Sequence, residues 1–146
     1  PVAVPHDARE PVQFTFRLEG IKLGILTDLG SVTPHVVEEF SGCHSLLVES
    51  NHCREMLSKG AYPAALKRRI LGPWGHLSNE QTAQLLTQMF SSSAVPSNLI
   101  IGHISKENNT KNRVEDCLGD LVSEIKSLVF ASQDEILPWT ESVQAA

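Results

Sequence analysis

The sequence predicts an α/β domain, because short apolar runs of strand length alternate with segments of helical composition. The first two apolar runs form a hairpin, and helix start signals precede three of the later helical segments. Strands that alternate with helices are typical of layered α/β folds. The 146 residues suit one domain, and the 41% of hydrophobic residues is enough to build a core.

Five runs have strand character. The first, VQFTFRLE, alternates between apolar and polar residues and is separated from IKLGILT by a turn at Glu19 and Gly20, which predicts a hairpin. The later runs are continuous and apolar, as in buried strands. The predicted strands are residues 12–19, 21–27, 45–49, 99–102 and 127–131.

Helices are predicted between these strands. Thr33 is a typical N-cap, and Pro34 suits the first position of the helix that follows it. Ser78 and Gln81 have the spacing of a capping box ahead of an amphipathic segment. The predicted helices are residues 34–40, 63–70, 79–90 and 114–125, and residues 50–75 as a whole are predicted to be irregular and helical by turns.

Composition favours a cytoplasmic protein with reduced thiols. The three cysteines are odd in number and have no CxxC spacing. The pairs Cys43-His44 and His52-Cys53 do not predict a structural zinc, because adjacent strand residues point to opposite faces. No apolar run approaches the ~20 residues of a membrane span, and no signal peptide is visible. The net charge of -5 neither supports nor excludes a nuclease, since metals can supply positive charge at a phosphate.

Four polar residues follow apolar runs and form a candidate site. Asp28 follows ILT, Glu49 follows SLLV, His103 follows LIIG and His6 follows PVAV. In α/β sheets, functional groups collect beyond the carboxyl ends of strands. Histidine and aspartate are ligands of zinc, manganese and iron sites. The alternatives are a structural histidine at a strand end and a turn role for an aspartate before Leu-Gly.

The segment PHDAREPVQFTFRLEGIKLGILTDLGSV resembles the third and fourth metal motifs of the metallo-β-lactamase superfamily. VESNHCREML, YPAALKRRILGPWGHLSNEQTAQLL, IIGHISKENNT and FASQDEILPWTE follow in the family's order. The bacterial, nuclease-like YycJ/WalJ branch is the most similar. The resemblance implies the second half of an αββα sandwich, with a mixed sheet flanked by helices.

The resemblance also implies roles at a centre of two divalent ions, zinc or manganese. His6 corresponds to the ligand that completes the first metal position, Asp28 to the bridging carboxylate, and His103 to the ligand of the second metal. Glu49 and His76 correspond to a catalytic acid–histidine pair.

Further residues are candidates for substrate binding. Lys67, Arg68 and Arg69 form the densest basic cluster, which could hold phosphates or could equally be a solvated helix face. His52 lies beside the acid–histidine pair in sequence and is a further candidate. Cys53 stands where an acidic residue is expected after ESNH.

One family motif is absent. HxHxDH, which supplies most of the metal ligands, precedes the matching segment in the family, so residues 1–146 are interpreted as the C-terminal half of the domain. We expect the N-terminal half, from the same gene or a companion chain, to be its partner. The chain alone should be inactive, bind metal weakly and expose an apolar surface that favours dimers. The strands that would form that surface carry Ile25, Leu47, Val48 and Ile100, and their apolar runs suggest burial on both faces.

The complete protein is therefore predicted to be a metal-dependent phosphodiesterase, a 5′-3′ exonuclease-like enzyme acting on DNA through a two-metal-activated hydroxide. Two alternatives stay open. The chain could be a non-catalytic α/β binding or scaffold domain, or the fold could hydrolyse small cyclic phosphates or thioesters.

Overall fold

A computed structural model describes residues 1–139 and 141–142, and it contains a six-stranded sheet whose spatial order follows the chain. The strands β1 to β3 pair antiparallel and β3 to β6 pair parallel, so the sheet is mixed. The strands are β1 (Val2–Ala3), β2 (Val12–Leu18), β3 (Ile21–Leu26), β4 (Ser45–Glu49), β5 (Asn98–Gly102) and β6 (Ser127–Phe130). The predicted α/β class, with a mixed sheet flanked by helices, is confirmed.

Five α-helices and one 3₁₀ turn connect these strands. They are α1 (Pro34–Phe40), α2 (Arg54–Lys59), α3 (Ala64–Leu71), α4 (Asn79–Ser92), α5 (Lys111–Leu118) and the 3₁₀ turn Gly119–Val122. The Thr33 cap and the capping box of Ser78 and Gln81 are both formed as predicted. None of the helices in the described ranges has the length and apolarity to cross a membrane.

The bounds of one predicted helix were wrong. The helix predicted for residues 114–125 begins earlier, because the Thr110 side chain accepts a hydrogen bond from the Arg113 amide and caps it. It ends at Leu118, because Gly119 adopts a positive φ of 48°. The stretch predicted to be irregular and helical by turns contains α2, and β1 is a two-residue edge strand that the sequence pattern does not indicate.

One face of the sheet carries the core. Leu26, Leu46, Val48, Leu99 and Ile101 are at most 1% exposed and form one apolar cluster with residues of α1, α4 and α5. Val48, which lies on one of the strands predicted to be buried on both faces, is 0% exposed. It occupies the strand position that points toward the helices, because side chains alternate along β4.

The opposite face, here called the open face, has apolar residues aligned across five strands. Strand register places Phe14, Ile25, Leu47, Ile100 and Val129 in one row. Ile25, Leu47 and Ile100 are partly buried, and Phe14 is 43% exposed. Phe16 and Leu18 continue the open face along β2, and they are 52% and 75% exposed.

Candidate metal centre

The parallel strands β3, β4 and β5 end at the same edge of the sheet, where three of the predicted residues meet. Asp28 lies two residues beyond β3, Glu49 is the last residue of β4, and His103 follows β5 directly. Asp28 and His103 both have a φ of 52°, in the left-handed region that non-glycine residues seldom adopt. Such backbone strain concentrates at functional sites, where surrounding structure holds it in place.

Glu49 is the buried anchor of the cluster. Its side chain is 0% exposed, and Oε1 accepts hydrogen bonds from the amides of Leu29 (2.9 Å) and Leu77 (3.0 Å). Oε2 lies 2.9 Å from Nδ1 of His103 and 3.3 Å from Nδ1 of His76. The amide of Asp28 donates to the same oxygen at 3.2 Å. One carboxylate therefore fixes the loops that carry the other cluster residues.

These contacts determine the charge of the anchor. Burial would raise the pKa of Glu49, but hydrogen bonds from His103, His76 and the amides of Leu77 and Leu29 lower that pKa to about 2. The hydrogen bond to Glu49 in turn raises the pKa of His103. Glu49 is thus a carboxylate at neutral pH, and it favours imidazoles that donate from Nδ1 and keep the Nε2 lone pair free.

Asp28 faces three imidazoles. Its Oδ1 lies 3.7 Å from Nε2 of His6, Nδ1 of His76 and Nδ1 of His103. The Asp28 side chain is 42% exposed, whereas the His6 side chain is 14% exposed and bonds through Nδ1 to the carbonyl of Gly75 at 3.0 Å. His6, Asp28 and His103 therefore lie together, and His76 lies between the two other histidines, with ring centroids 5.1 Å from His6 and 5.0 Å from His103.

This arrangement fits a divalent ion. Asp28, Glu49, His76 and His103 each offer a ligand atom, and these atoms lie within 4.8 Å of one another. The three distances of 3.7 Å are longer than hydrogen bonds, so none of these rings forms a hydrogen bond with Oδ1 of Asp28.

His52 lies apart from this cluster. It is 1% exposed, and among the described residues neither ring nitrogen has a hydrogen-bond partner. Burial lowers the pKa of His52 to about 4, so the ring is neutral near pH 7. The prediction that His52 contacts substrate does not agree with this enclosure, because a bound molecule cannot reach the ring.

The predicted basic cluster is divided by the geometry of α3. Arg69 lines a cleft beside the candidate metal centre, and its guanidinium donates two hydrogen bonds to the Asp7 carboxylate. Lys67 donates to the carbonyl of Ser58 at 2.8 Å, and Arg68 is exposed outside the cleft. Successive residues of a helix point in directions about 100° apart, so the three side chains do not share one face.

The cleft has a volume of about 500 Å³ and borders His76 and His103. Tyr62, Leu66 and Ile70 provide its apolar wall. The remaining lining residues are Asp7, Asn51, Arg69, Gly75, Ser105, Lys106, Glu107 and Gln133.

Behind the candidate metal centre lies a buried polar network that sequence reasoning missed. Ser50 donates to Asn79 Oδ1 at 2.8 Å, Asn109 Nδ2 donates to the same oxygen at 2.7 Å, and the Thr82 hydroxyl donates to the Glu49 carbonyl at 2.8 Å. All four of these side chains are at most 3% exposed. The available signal was the polar pairs 50–51 and 78–79, which border predicted elements, and the pair 108–109 in the polar stretch that leads to a predicted helix.

Comparison with curated proteins reveals similar sequences. A protein named exodeoxyribonuclease YycJ from Bacillus anthracis is 33% identical over 121 residues, which are 83% of this chain and 45% of that protein. A protein named exodeoxyribonuclease WalJ from Streptococcus pneumoniae (strain D39) is 36% identical over 108 residues, 74% of this chain and 39% of that protein. The chain is a homologue of exodeoxyribonucleases. It spans less than half the length of these relatives, and no family model matches it.

Proposed function

We propose that this chain is the C-terminal half of a metallo-β-lactamase-fold hydrolase that cleaves DNA phosphodiester bonds from an end, in the 5′-3′ direction. The observation that carries the proposal is the Asp28 carboxylate facing three imidazoles, two of which are bonded to the buried Glu49. The names of the relatives support an exodeoxyribonuclease activity. We place the protein in the cytoplasm, in keeping with its three free cysteines.

In this proposal, Asp28, His6 and His103 hold two divalent ions, zinc or manganese, together with ligands from a segment that carries HxHxDH. Such ions supply hydroxide near neutral pH and neutralise charge on the phosphate. The N-terminal half packs on the open face, because Phe14, Ile25 and Leu47 there would otherwise meet water.

His76 is the proton donor in this proposal. The bond from its Nδ1 to Glu49 fixes the ring orientation, so that Nε2 can take up a proton and pass it to the leaving oxygen. The His76 side chain is 21% exposed and lines the cleft, so substrate can reach it. Glu49 acts through His76 and His103 and touches no substrate, since it is fully enclosed.

The test is His76→Ala in the protein that carries both halves of the site. We expect kcat on DNA to fall by roughly 10²–10⁴, the usual scale for losing a general acid, with metal content unchanged. A nitrophenyl phosphodiester has a leaving group that needs no proton, so most of the loss should disappear with it.

His35→Ala is the matched control, because His35 is an exposed histidine on α1 outside the cleft. It should cleave both substrates at the unchanged rate. Equal losses on both substrates in His76→Ala, or loss of the metals, would show that His76 is not the proton donor. Absence of any DNA cleavage by the unaltered, metal-loaded protein would refute the proposed function.

A further inference from the structure

The cleft beside the candidate metal centre has a chemistry that differs from a phosphate-binding groove. Its four charged residues balance, since Asp7 and Glu107 oppose Arg69 and Lys106. Arg69 pairs with Asp7, and Lys106 pairs with Asp134 at 2.7 Å. A site that binds the DNA backbone needs a surplus of unpaired cations, so this cleft does not attract a polyanion by charge.

The apolar wall of the cleft suits a flat, neutral group instead. Leu66 and Ile70 stand one turn apart on α3 and face the cleft, and Tyr62 adds the only tyrosine of the chain. Within the described ranges, the Tyr62 hydroxyl bonds no protein group, although the side chain is partly buried. An aromatic ring with an unused hydroxyl in a cleft is available to a ligand.

Another part of the cleft lining is polar. Asn51, Ser105 and Gln133 border the cleft there, and amide and hydroxyl groups of this kind can bond the edge of a base. The Asn51 amide also donates to the carbonyl of His103 at 3.0 Å, which connects this part of the lining to the candidate metal centre.

We propose that the cleft holds the nucleobase next to the scissile phosphodiester, stacked on the ring of Tyr62. This proposal rests on the DNA-cleaving function above and adds a subsite to it. Because His76 and His103 border the cleft, a base held there places its own phosphate near the proposed metal ligands. The apolar wall contacts the flat face that every base has, so it does not distinguish one base from another. An exonuclease requires such a site because it removes nucleotides of any sequence.

The test measures binding without cleavage. Fluorescence anisotropy of a labelled single-stranded oligonucleotide, with a chelator present, should show weaker binding by Tyr62→Ala of roughly 5- to 150-fold, the range for losing one stacked base. Tyr62→Phe and Tyr62→Trp keep an aromatic face and should bind within a few-fold of the unaltered chain. Leu71→Ala is the matched control, because Leu71 is an exposed apolar residue of α3 outside the cleft.

A second oligonucleotide with an abasic terminal residue identifies the group that is bound. The unaltered chain should bind this abasic oligonucleotide as weakly as Tyr62→Ala binds the intact oligonucleotide. The Tyr62→Ala substitution should not weaken binding of the abasic oligonucleotide any further. Equal binding by Tyr62→Ala and the unaltered chain, or no binding by the unaltered chain, would overturn the base subsite. Loss of binding in Tyr62→Ala without any nuclease activity would support the subsite and refute the proposed function.

Discussion

Glu49 shows how one carboxylate organises the candidate metal centre. It accepts hydrogen bonds from three backbone amides and two imidazoles, all at 3.3 Å or less. Hydrogen bonds to a charged group are stronger than neutral ones, and leaving such donors unsatisfied in the interior is costly. The anchor therefore stabilises both the fold and the geometry of the candidate ligands.

Replacing this carboxylate should destabilise the chain. In Glu49→Gln, the neutral amide places a donor against backbone amides and imidazole N–H groups, so the free energy of unfolding should fall by about 3 kcal/mol. Urea denaturation measures this. Glu38→Gln, on the exposed side of α1, should change it by less than ~0.5 kcal/mol. Equal stability of the two variants would contradict the anchoring role.

His52 predicts a pH dependence of stability. Its pKa is about 4 in the folded chain and about 6.5 when unfolded, so the unfolded state binds the proton more strongly. The free energy of unfolding should therefore decrease as the pH falls from about 6.5 to about 4, by up to about 3 kcal/mol from this residue.

His52→Phe tests this prediction, because the ring nitrogens have no partner among the described residues and an apolar ring of similar shape can replace them. Urea denaturation across this pH range should give a flatter profile for His52→Phe. The exposed His35→Asn should keep the original profile. Parallel profiles for His52→Phe and the unaltered chain would show that the buried ring titrates normally.

At the scale of elements, two loops that carry site residues meet at glycines. A Cβ on Gly30 would lie 2.5 Å from the amide nitrogen of Gly75 and 2.6 Å from the carbonyl oxygen of Pro73. Gly30 lies two residues after Asp28, and Gly75 directly precedes His76. The close approach of these backbones therefore sets the separation of Asp28 and His76.

Gly30→Ala should displace the two loops, because both contacts are with backbone atoms that cannot rotate away. We expect metal affinity of the protein with the complete site to fall roughly 10–100-fold, as for other changes that support metal ligands. Gly119→Ala is the control. Gly119 has a φ of 48° with open space around its Cβ position, so it should lose about 1 kcal/mol of stability and keep its metal affinity. If a metal titration gave Gly30→Ala the same metal affinity as the unaltered protein, the close approach of the two loops would not set the geometry of the site.

The sequence predicts the elements better than their contacts. The polar residues after apolar runs indicated Asp28, Glu49 and His103 at one sheet edge, because parallel strands end together. That Glu49 bonds both His76 and His103 depends on tertiary packing, which one-dimensional patterns do not contain. The burial of His52 depends on loop paths, for which the sequence gives no direct signal. The separation of Arg69 from Lys67 follows from the step of about 100° between successive residues of the predicted helix.

At the scale of the whole molecule, the sheet has two unlike faces. Helices cover one face, and the open face presents an apolar row that runs from Phe14 on β2 to Val129 on β6. The site edge adjoins both faces, with the proposed metal ligands Asp28 and His103 at or near strand ends and His6 before β2. In our account a second segment covers the open face and completes the ligand set.

Titration with zinc and manganese by calorimetry tests this account most directly. Asp28, His6 and His103, divided between two ions, leave each ion under-coordinated, so the 146-residue chain alone should bind metal weakly. Addition of a segment that carries HxHxDH, taken from the first half of a relative, should produce tight binding of two ions per complex. Tight binding of two ions by the chain alone, or no gain from the added segment, would contradict the account.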